Sequence, residues 1–330
     1  MNFRKPIPVI FSLLLLPSIC LWSAESSTKQ SKQEDRDFFQ QKILNHLNRA
    51  SHPSKFFVIP TGKVLRTMEV YASGGSFYGE KESGGVEGRI GLGLGNVAEI
   101  ELSSTRVENQ LTGRESRFPS RTFKVHLVPE AMRYHWYIPQ MALQLRSAAW
   151  SEAIEQGDPV WESLRSSFAY YNDGLRLESL ALQTRFTTLY AIVGFEGELG
   201  GLYGGMSLTD VRTRGGRQWI YAEEEGTMEF AEFSARQKNI LQPFGGFIMN
   251  ANQSTQILAE VSTIPNLDYD VRKKEPLIDY TWVGVAGIRF YMLPWLSLDT
   301  GVRYLSTFEG IADADINLAV NAVLPLKKTW

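Results

Sequence analysis

Residues 287–304 read GIRFYMLPWLSLDTGVRY, and both halves of this stretch alternate residue by residue between apolar and polar side chains. The apolar face of the first half is shared by Trp282, Ala286, Ile288 and Phe290. The apolar face of the second half is shared by Leu296, Leu298 and Val302. The charged residues Arg289, Asp299 and Arg303 take the opposite faces. Alternation with a period of two predicts a β-hairpin whose strands are apolar on one side and charged on the other.

The composition of the chain agrees with a β-rich protein. The 330 residues include 28 glycines, and aromatic residues make up 12% of the chain. Both features suit a fold with many strands and turns. The 34 basic and 36 acidic residues leave a net charge of -2, which gives no reason to expect a nucleic-acid partner.

The N-terminus has the features of a secretory signal peptide. Arg4 and Lys5 precede a short apolar run at residues 9–16, and this order predicts a cleaved signal over residues 1–24. An uncleaved anchor is the alternative, although the run is short for a membrane span. Cys20, the one cysteine of the sequence, leaves with the signal. An exported chain without disulfides favours the bacterial envelope over a small disulfide-linked secreted protein.

A second N-terminal region, residues 25–62, begins with a polar segment and continues as a predicted amphipathic helix. Phe39, Ile43 and Leu47 repeat at a helical spacing and form one apolar stripe. One interpretation is a short periplasmic helix that packs on its own domain. The other is a plug or lid at the mouth of a barrel.

From residue 63 to residue 330 the sequence predicts strands almost continuously. The twelve predicted strands are 64–77, 84–94, 97–107, 121–128, 140–150, 178–195, 198–211, 240–249, 254–263, 280–291, 295–306 and 314–326. Beyond the signal, no run of 18 apolar residues occurs, so the pattern excludes transmembrane helices. A closed antiparallel transmembrane β-barrel is the other structure that satisfies its backbone in lipid, and it is the predicted fold.

The predicted connections alternate between short and long, with two exceptions. The short ones lie at Gly95-Asn96, at Gly197, and at the stretches ANQS and MLPW. The long ones are 108–120, 151–177, 212–239, 264–279 and 307–313. The exceptions are 78–83, which is short, and 129–139, which is long. Membrane barrels have short periplasmic turns and longer outer loops. With an even number of strands, both termini are therefore expected in the periplasm.

Aromatic residues near strand ends support a membrane environment, because such residues form girdles at the two interfaces. They include Tyr280, Trp282, Phe290, Tyr291, Trp295 and Tyr304. The chain also ends in Trp330, in phase with the apolar face of the last strand. In this respect it resembles bacterial outer-membrane β-barrels, whose last strand ends in an aromatic residue that the barrel-assembly machinery recognises. Lys328 departs from that pattern. The resemblance implies outer-membrane lipid and the assembly machinery as partners.

A narrower resemblance covers about the first half of the barrel. It is carried by PTGKVLRTMEVYASGG (60–75), GRIGLGLGNVAEIELS (88–103) and FPSRTFKVHLVPE (118–130). These stretches resemble uncharacterised Gram-negative barrels, some of which are similar to barrels linked to envelope polysaccharide loci. The resemblance implies a fold and a location, and it implies no reaction.

The sequence contains little that points to catalysis or to a cofactor. Gly91, Gly93 and Gly95 are followed by a predicted strand instead of the helix that a dinucleotide site requires. They are better explained by close strand packing and a tight turn. His126 and His135 have no matching serine pattern, and they are interpreted as lumen-facing and interfacial residues. We therefore predict no catalytic, metal or cofactor site.

Four charged residues are the candidates for a functional interior: Glu260, Arg289, Asp299 and Arg303. Their phase points them into the lumen, since an arginine on the lipid face costs roughly 2–4 kcal/mol at mid-membrane. They either form a salt-bridge lattice that fills the lumen or a charged constriction that filters solutes. The predicted function is a non-enzymatic barrel that passes or binds a small solute. The alternatives are a structural or accessory barrel in envelope polysaccharide assembly or export, and a barrel lipid hydrolase.

Overall fold

A computed structural model gives the fold of most of the chain beyond residue 54. It describes residues 55–78, 87–109, 114–128, 138–150, 175–181, 183–197, 199–214, 216–222, 226–233, 235–270 and 275–326. The predicted signal peptide, the predicted helix within residues 25–62, His135 and Trp330 lie outside the described residues.

The described residues consist almost entirely of β-strands. The strands are β1 (Glu69–Tyr78), β2 (Glu87–Leu94), β3 (Ala98–Asn109), β4 (Arg114–His126), β5 (Gln140–Ala148), β6 (Leu175–Ala181), β7 (Thr184–Gly197), β8 (Gly200–Thr213), β9 (Gly216–Ala222), β10 (Thr227–Phe233), β11 (Arg236–Asn250), β12 (Thr255–Asp270), β13 (Glu275–Leu293), β14 (Leu296–Leu305) and β15 (Asp315–Pro325). A single 3-10 turn at Ile311–Asp313 precedes β15. Within the described residues, no helix is long and apolar enough to cross a membrane.

Twelve of these strands form a closed antiparallel barrel, which confirms the predicted fold class and strand number. The order around the wall is β1-β15-β14-β13-β12-β11-β8-β7-β5-β4-β3-β2. The barrel closes where β1 pairs with β15, for example with Val70 opposite Leu324. Because neighbouring barrel strands are antiparallel, β1 begins and β15 ends at the same end of the barrel, where the short turns also lie. We call this the turn end and the opposite end the loop end.

The two faces of the barrel wall have opposite character. Outward-facing residues are mainly large and apolar, and Ile288 is 44% exposed while its neighbour Arg289 is 1% exposed. The predicted alternation of the hairpin is therefore confirmed. Tyr291 is a correction, since it was placed in an interfacial girdle and is buried inside the barrel instead, where its hydroxyl contacts Gln256 at 3.1 Å. One residue separates it from Phe290, and one residue is enough to change face.

Several predicted loops contain strands. β6, β9 and β10 form a separate three-stranded sheet. β9 and β10 lie within the predicted connection 212–239, whereas β6 spans the boundary between the predicted connection 151–177 and the predicted strand 178–195. The predicted loops 108–120 and 264–279 are mostly extensions of the β3–β4 and β12–β13 hairpins, in which Asn109 pairs with Arg114 and Asp270 with Glu275. The first strand begins at Glu69 instead of residue 64.

The tight turn between β2 and β3 is confirmed. Gly95 and Asn96 both have positive φ, at 67° and 60°, as a two-residue type I′ turn requires. At the loop end, β3 leaves the wall and pairs in parallel with β12, with Asn266 next to Glu108. Because β3 and β12 lie on opposite sides of the barrel, the end of β3 at Glu108 and Asn109 crosses over the loop end.

Candidate functional site

The interior of the barrel contains a piece of the chain itself. Residues 55–66, which we call the inner segment, precede β1 and lie inside the wall. The segment makes a tight turn, in which the N–H of Phe56 donates to the carbonyl of Ile59 at 3.0 Å and Lys55 pairs with Pro60. Lys55, Phe56, Phe57, Ile59 and Leu65 are all buried. A plug at the mouth of a barrel was one interpretation of residues 25–62, but no pattern indicated that residues 55–62 lie inside the wall, because they have neither helical nor strand periodicity.

Apolar packing fixes the turn of the inner segment against the wall. The ring of Phe56 meets that of Tyr203 edge to face, with the ring centroids 5.4 Å apart. Phe57 lies against Gly287 and Gly301, where an added Cβ would come within 2.9 and 3.2 Å of its ring. Ile59 completes the contact and belongs to the same buried cluster. Two glycines on adjacent strands therefore form the recess that receives an aromatic ring of the segment.

Glu260 on β12 binds the backbone of the inner segment. Its carboxylate accepts hydrogen bonds from the N–H groups of Val58, at 2.9 Å, and Ile59, at 3.1 Å. Arg289 approaches the same turn from β13 and donates to the carbonyl oxygen of Phe56 at 3.3 Å. The wall thus supplies an acceptor for the free N–H groups of the turn and a donor for its carbonyl group, as buried backbone groups require.

Ion pairs surround these contacts. Lys55 of the inner segment pairs with the buried carboxylate of Glu101. Glu99, two residues earlier on β3, accepts a hydrogen bond from the N–H of Leu65 at 2.9 Å and lies 3.4 Å from the ammonium group of Lys124. Near the turn end, Lys63 pairs with Glu196 on β7. Carboxylates of β3, β7 and β12 therefore hold the inner segment along its length.

The four predicted interior residues are all buried inside the barrel, but they do not form one cluster. Arg289 and Asp299 form a bidentate pair with both distances at 2.8 Å. Arg303 pairs instead with Asp315 on β15, at 3.0 Å, and its guanidinium lies 4.2 Å from the ring of Phe77. Glu260 contacts the inner segment as described above. Each arginine pairs with the acid directly across the strand ladder.

Other interior charges were missed, although the same alternation would have found them. Glu99 and Glu101 alternate with Ile100 and Leu102 on β3, and Lys124 lies between Phe123 and an apolar neighbour on β4. His126 is also buried on the inner wall of β4. Within the described ranges, no group of three or more His, Cys, Asp or Glu side chains forms a metal site.

The glycines of β2 have a role in holding the inner segment. A Cβ on Gly93 would overlap the carbonyl oxygen of Arg66, and a Cβ on Gly91 would approach Leu65 within 3.3 Å. The N–H of Met68 then donates to the carbonyl of Gly93 at 3.1 Å. The close packing predicted for these glycines is therefore confirmed, and the inner segment is the partner that packs against them.

A small cavity, which we call the inner cavity, lies between the inner segment and the loop end. Its volume is about 40 Å³, which is enough for a few water molecules or one small polar group. Val58 and Ile59 form part of its lining, together with two arginines, Arg89 and Arg146. Its hydroxyl-bearing side chains include Ser103, Ser104, Thr188, Ser207, Thr209 and Ser262. Glu87 also lines the cavity and pairs with Arg89, so Arg146 is the arginine of the lining that is left without a carboxylate of the lining beside it.

These observations define a closed β-barrel with an apolar exterior, a charged interior and a plug formed by its own chain. Family models of known proteins give no match to the chain, and neither do curated protein sequences.

Several solved structures, all bacterial outer-membrane β-barrels, are similar to the chain. The translocator domain of autotransporter NalP from Neisseria meningitidis aligns with 11% identity and a TM-score of 0.43, over 90% of this chain and 99% of that one. The NanC porin aligns with 10% identity and a TM-score of 0.38, over 77% and 98%. The CymD monoaromatic hydrocarbon channel aligns with 8% identity and a TM-score of 0.35, over 88% and 94%. With such low scores, these similarities say nothing of the function of this chain.

Proposed function

We propose that the protein is a non-enzymatic barrel of the bacterial outer membrane that binds or passes a small solute, and that the inner segment closes it at rest. The observation that carries the proposal is the inverted distribution of side chains. Val302 is 52% exposed on the outer face, whereas Arg303 beside it is 1% exposed inside. Water-soluble barrels bury apolar residues, so an apolar exterior around a charged interior suits a surrounding bilayer.

The proposed orientation follows from the connections. Short turns at one end and longer connections at the other match the periplasmic and outer ends of membrane barrels. In this orientation the turn end faces the periplasm. The start of β1, the end of β15 and the junction of the inner segment with β1 all lie there. Membrane lipid is then the partner of the outer surface, and the barrel-assembly machinery is the partner of the C-terminal strand.

The inner segment supports a gated barrel better than an open pore. It is held by hydrogen bonds and ion pairs to four wall strands, and it packs into a recess of two glycines. A solute that crosses along the barrel axis has to displace it. Among the described residues, the segment continues through Thr67 and Met68 to the start of β1 and contributes no strand to the wall, so its displacement leaves the strand pairing of the wall intact.

A second candidate is a structural or accessory barrel in envelope-polymer assembly. The filled interior favours it as well, because a structural role needs no pore. The two functions differ in what removal of the inner segment does to ion flow.

Two measurements test the proposal. Membrane fractionation and a gel of unboiled and boiled samples test the location and the barrel, and recovery as a soluble periplasmic protein would contradict both. Planar-bilayer recordings then compare the complete protein with a variant that lacks residues 55–66. We expect low conductance from the complete protein and large, steady conductance from the deletion variant. A folded deletion variant without conductance would favour the structural role.

A further inference from the structure

Within the part of the chain that the structure describes, the wall of the barrel is open between β2 and β3. The ladder between these strands ends with Ile90 opposite Leu102. β2 continues to Glu87 in contact with β1 alone, and β3 continues towards the loop end in contact with β4. Unpaired strand edges are tolerated at membrane depth only where they are covered by protein or line a polar cavity. The opening between residues 87–89 and 103–104 therefore requires an explanation.

A groove on the outer surface leads to this opening. The groove, which we call the outer groove, has a volume of about 870 Å³, and its walls include Ile90, Leu102 and Val320. Its floor contains Gly74 and Gly88, which lie opposite each other on β1 and β2. A Cβ at either glycine would meet no atom within 4 Å. The missing side chains thus leave an apolar trough two strands wide, which is wide enough for one extended hydrocarbon chain.

The outer groove and the inner cavity meet at the opening. Arg89, Ser103 and Ser104 line both of them. An elongated molecule in the groove can therefore place a polar end among the hydroxyl groups and arginines of the interior without crossing the barrel along its axis. The axis itself is occupied by the inner segment on one side of the cavity and crossed by the β3–β12 pairing at the loop end.

The charges of the inner cavity favour an anionic group. Arg89 is neutralised by Glu87, which it contacts at 2.8 Å. Arg146 is only 9% exposed, and among the described residues its Nε has no hydrogen-bond partner and its guanidinium has no ion pair. The hydroxyl groups of Ser104 and Ser262 also lack a partner among those residues. The guanidinium of Arg146 lies 5.5 Å from the centroid of the Tyr190 ring, and the carboxylate of Glu101, whose field it shares, is already paired with Lys55. A carboxylate ligand would give this buried guanidinium the direct, charge-assisted partner that best matches it.

We propose that the opening between β2 and β3 binds a fatty acid, with the hydrocarbon chain in the outer groove and the carboxylate at Arg146. The inference rests on the proposed membrane location, because the outer groove then faces the hydrocarbon region from which the ligand enters. It adds to the proposed function by naming the class of solute and a lateral route to the interior. It also explains why a polar cavity adjoins an apolar groove.

Native mass spectrometry of the full-length protein in non-ionic detergent tests the proposal. Laurate and dodecanol serve as probes, because they share a chain length and differ in the carboxylate. We expect the protein to retain one laurate, and to retain dodecanol roughly tenfold more weakly, since the charge-assisted contact is absent. Arg146→Gln should remove this preference. Arg212→Gln, which changes an exposed arginine on the outer face, should keep it.

Blocking the groove is an independent test. Gly88→Trp and Gly74→Trp fill open space in the trough, and either should abolish laurate retention. Gly284→Trp is the matched control, since Gly284 also has no atom within 4 Å of an added Cβ but lies on β13. The heat-modifiability of each variant shows whether its barrel has folded. If one groove variant does not fold, laurate retention by the other groove variant and by Arg146→Gln still tests the proposal. Equal retention of laurate by all variants, or equal retention of the two probes, would overturn the proposal while leaving the membrane barrel intact.

Cysteine pairs test the opening itself. Leu92 and Ile100 are partners in the β2–β3 ladder, so Leu92→Cys with Ile100→Cys should form a disulfide on oxidation. Gly88 and Ser104 would be partners if the ladder continued. Gly88→Cys with Ser104→Cys should therefore stay reduced in the folded barrel. Complete cross-linking of this second pair would show a closed wall and overturn the lateral route.

Discussion

The carboxylate of Glu260 accepts a hydrogen bond from the backbone N–H of Val58 at 2.9 Å, and the wall of the barrel thereby holds the inner segment. The donor is a backbone group, so substitutions of the Val58 side chain leave this contact in place. Glu260 is therefore the position at which the attachment of the segment can be changed without altering the segment itself.

Glu260→Ala should loosen the inner segment. The variant loses the acceptor for two backbone N–H groups, and hydrogen bonds to charged groups contribute roughly 1.5–3 kcal/mol each. We expect more frequent or longer openings in single-channel recordings, with unchanged heat-modifiability. Asn266→Ala, a change on the inner wall of the same strand, is the control and should leave the recordings unaltered. Indistinguishable recordings from the two variants would contradict a role for Glu260 in closure.

Gly93→Ala should displace the inner segment near the turn end. The new methyl group overlaps the carbonyl oxygen of Arg66, and backbone cannot yield as a flexible side chain does. We expect increased cleavage of the inner segment by added protease while the strands stay protected. Gly284→Ala adds the same methyl group in open space and should resemble the natural protein. If the inner segment of Gly93→Ala is cleaved no faster than that of the control, its packing against β2 does not hold it in place.

Val302→Arg should impair assembly of the barrel. The side chain lies on the apolar outer face, and an arginine there costs roughly 2–4 kcal/mol near mid-membrane and less near an interface. The fraction of heat-modifiable protein in the membrane is the measurement, and Val302→Leu is the apolar control. A harmless arginine at this position would mean that the outer face does not contact lipid.

Arg303→Val should destabilise the barrel from the inside by a different mechanism. It leaves the buried carboxylate of Asp315 without the arginine that it contacts at 3.0 Å, and breaking a buried pair costs about 3–5 kcal/mol. The double variant Arg303→Val with Asp315→Val should recover much of this loss, because no uncompensated charge remains. Urea unfolding in detergent measures both. A double variant as unstable as the single one would show that the ion pair is not the source of the effect.

The barrel could be predicted from the sequence because its wall separates apolar from polar side chains at every second residue. Ile288 and Arg289 differ by one position and lie on opposite faces, and a single pattern of this kind, repeated over many strands, is enough to indicate the fold. The far ends of the β3–β4 and β12–β13 hairpins were predicted as loops instead.

Partners within the interior could not be predicted in the same way. Alternation shows that Asp299 faces inward, but not which arginine lies across from it, because the register also depends on the irregularity between Tyr291 and Leu293. The inner segment was missed because it satisfies its backbone through side chains such as Glu260 that are distant in sequence. Such contacts leave no local periodicity.

The seam between β1 and β15 joins the first and last strands of the barrel, and the inner segment is attached directly to the first. During synthesis and insertion the segment is thus present before the strand that completes the enclosure. The wall can therefore fold around the inner segment, and the segment does not have to enter a barrel that has already closed. A circular permutant that begins at Glu69 and carries the inner segment after β15 would keep every strand pair of the wall and would synthesise the segment last. Its rate of assembly would show how far closure of the barrel depends on the earlier presence of the inner segment.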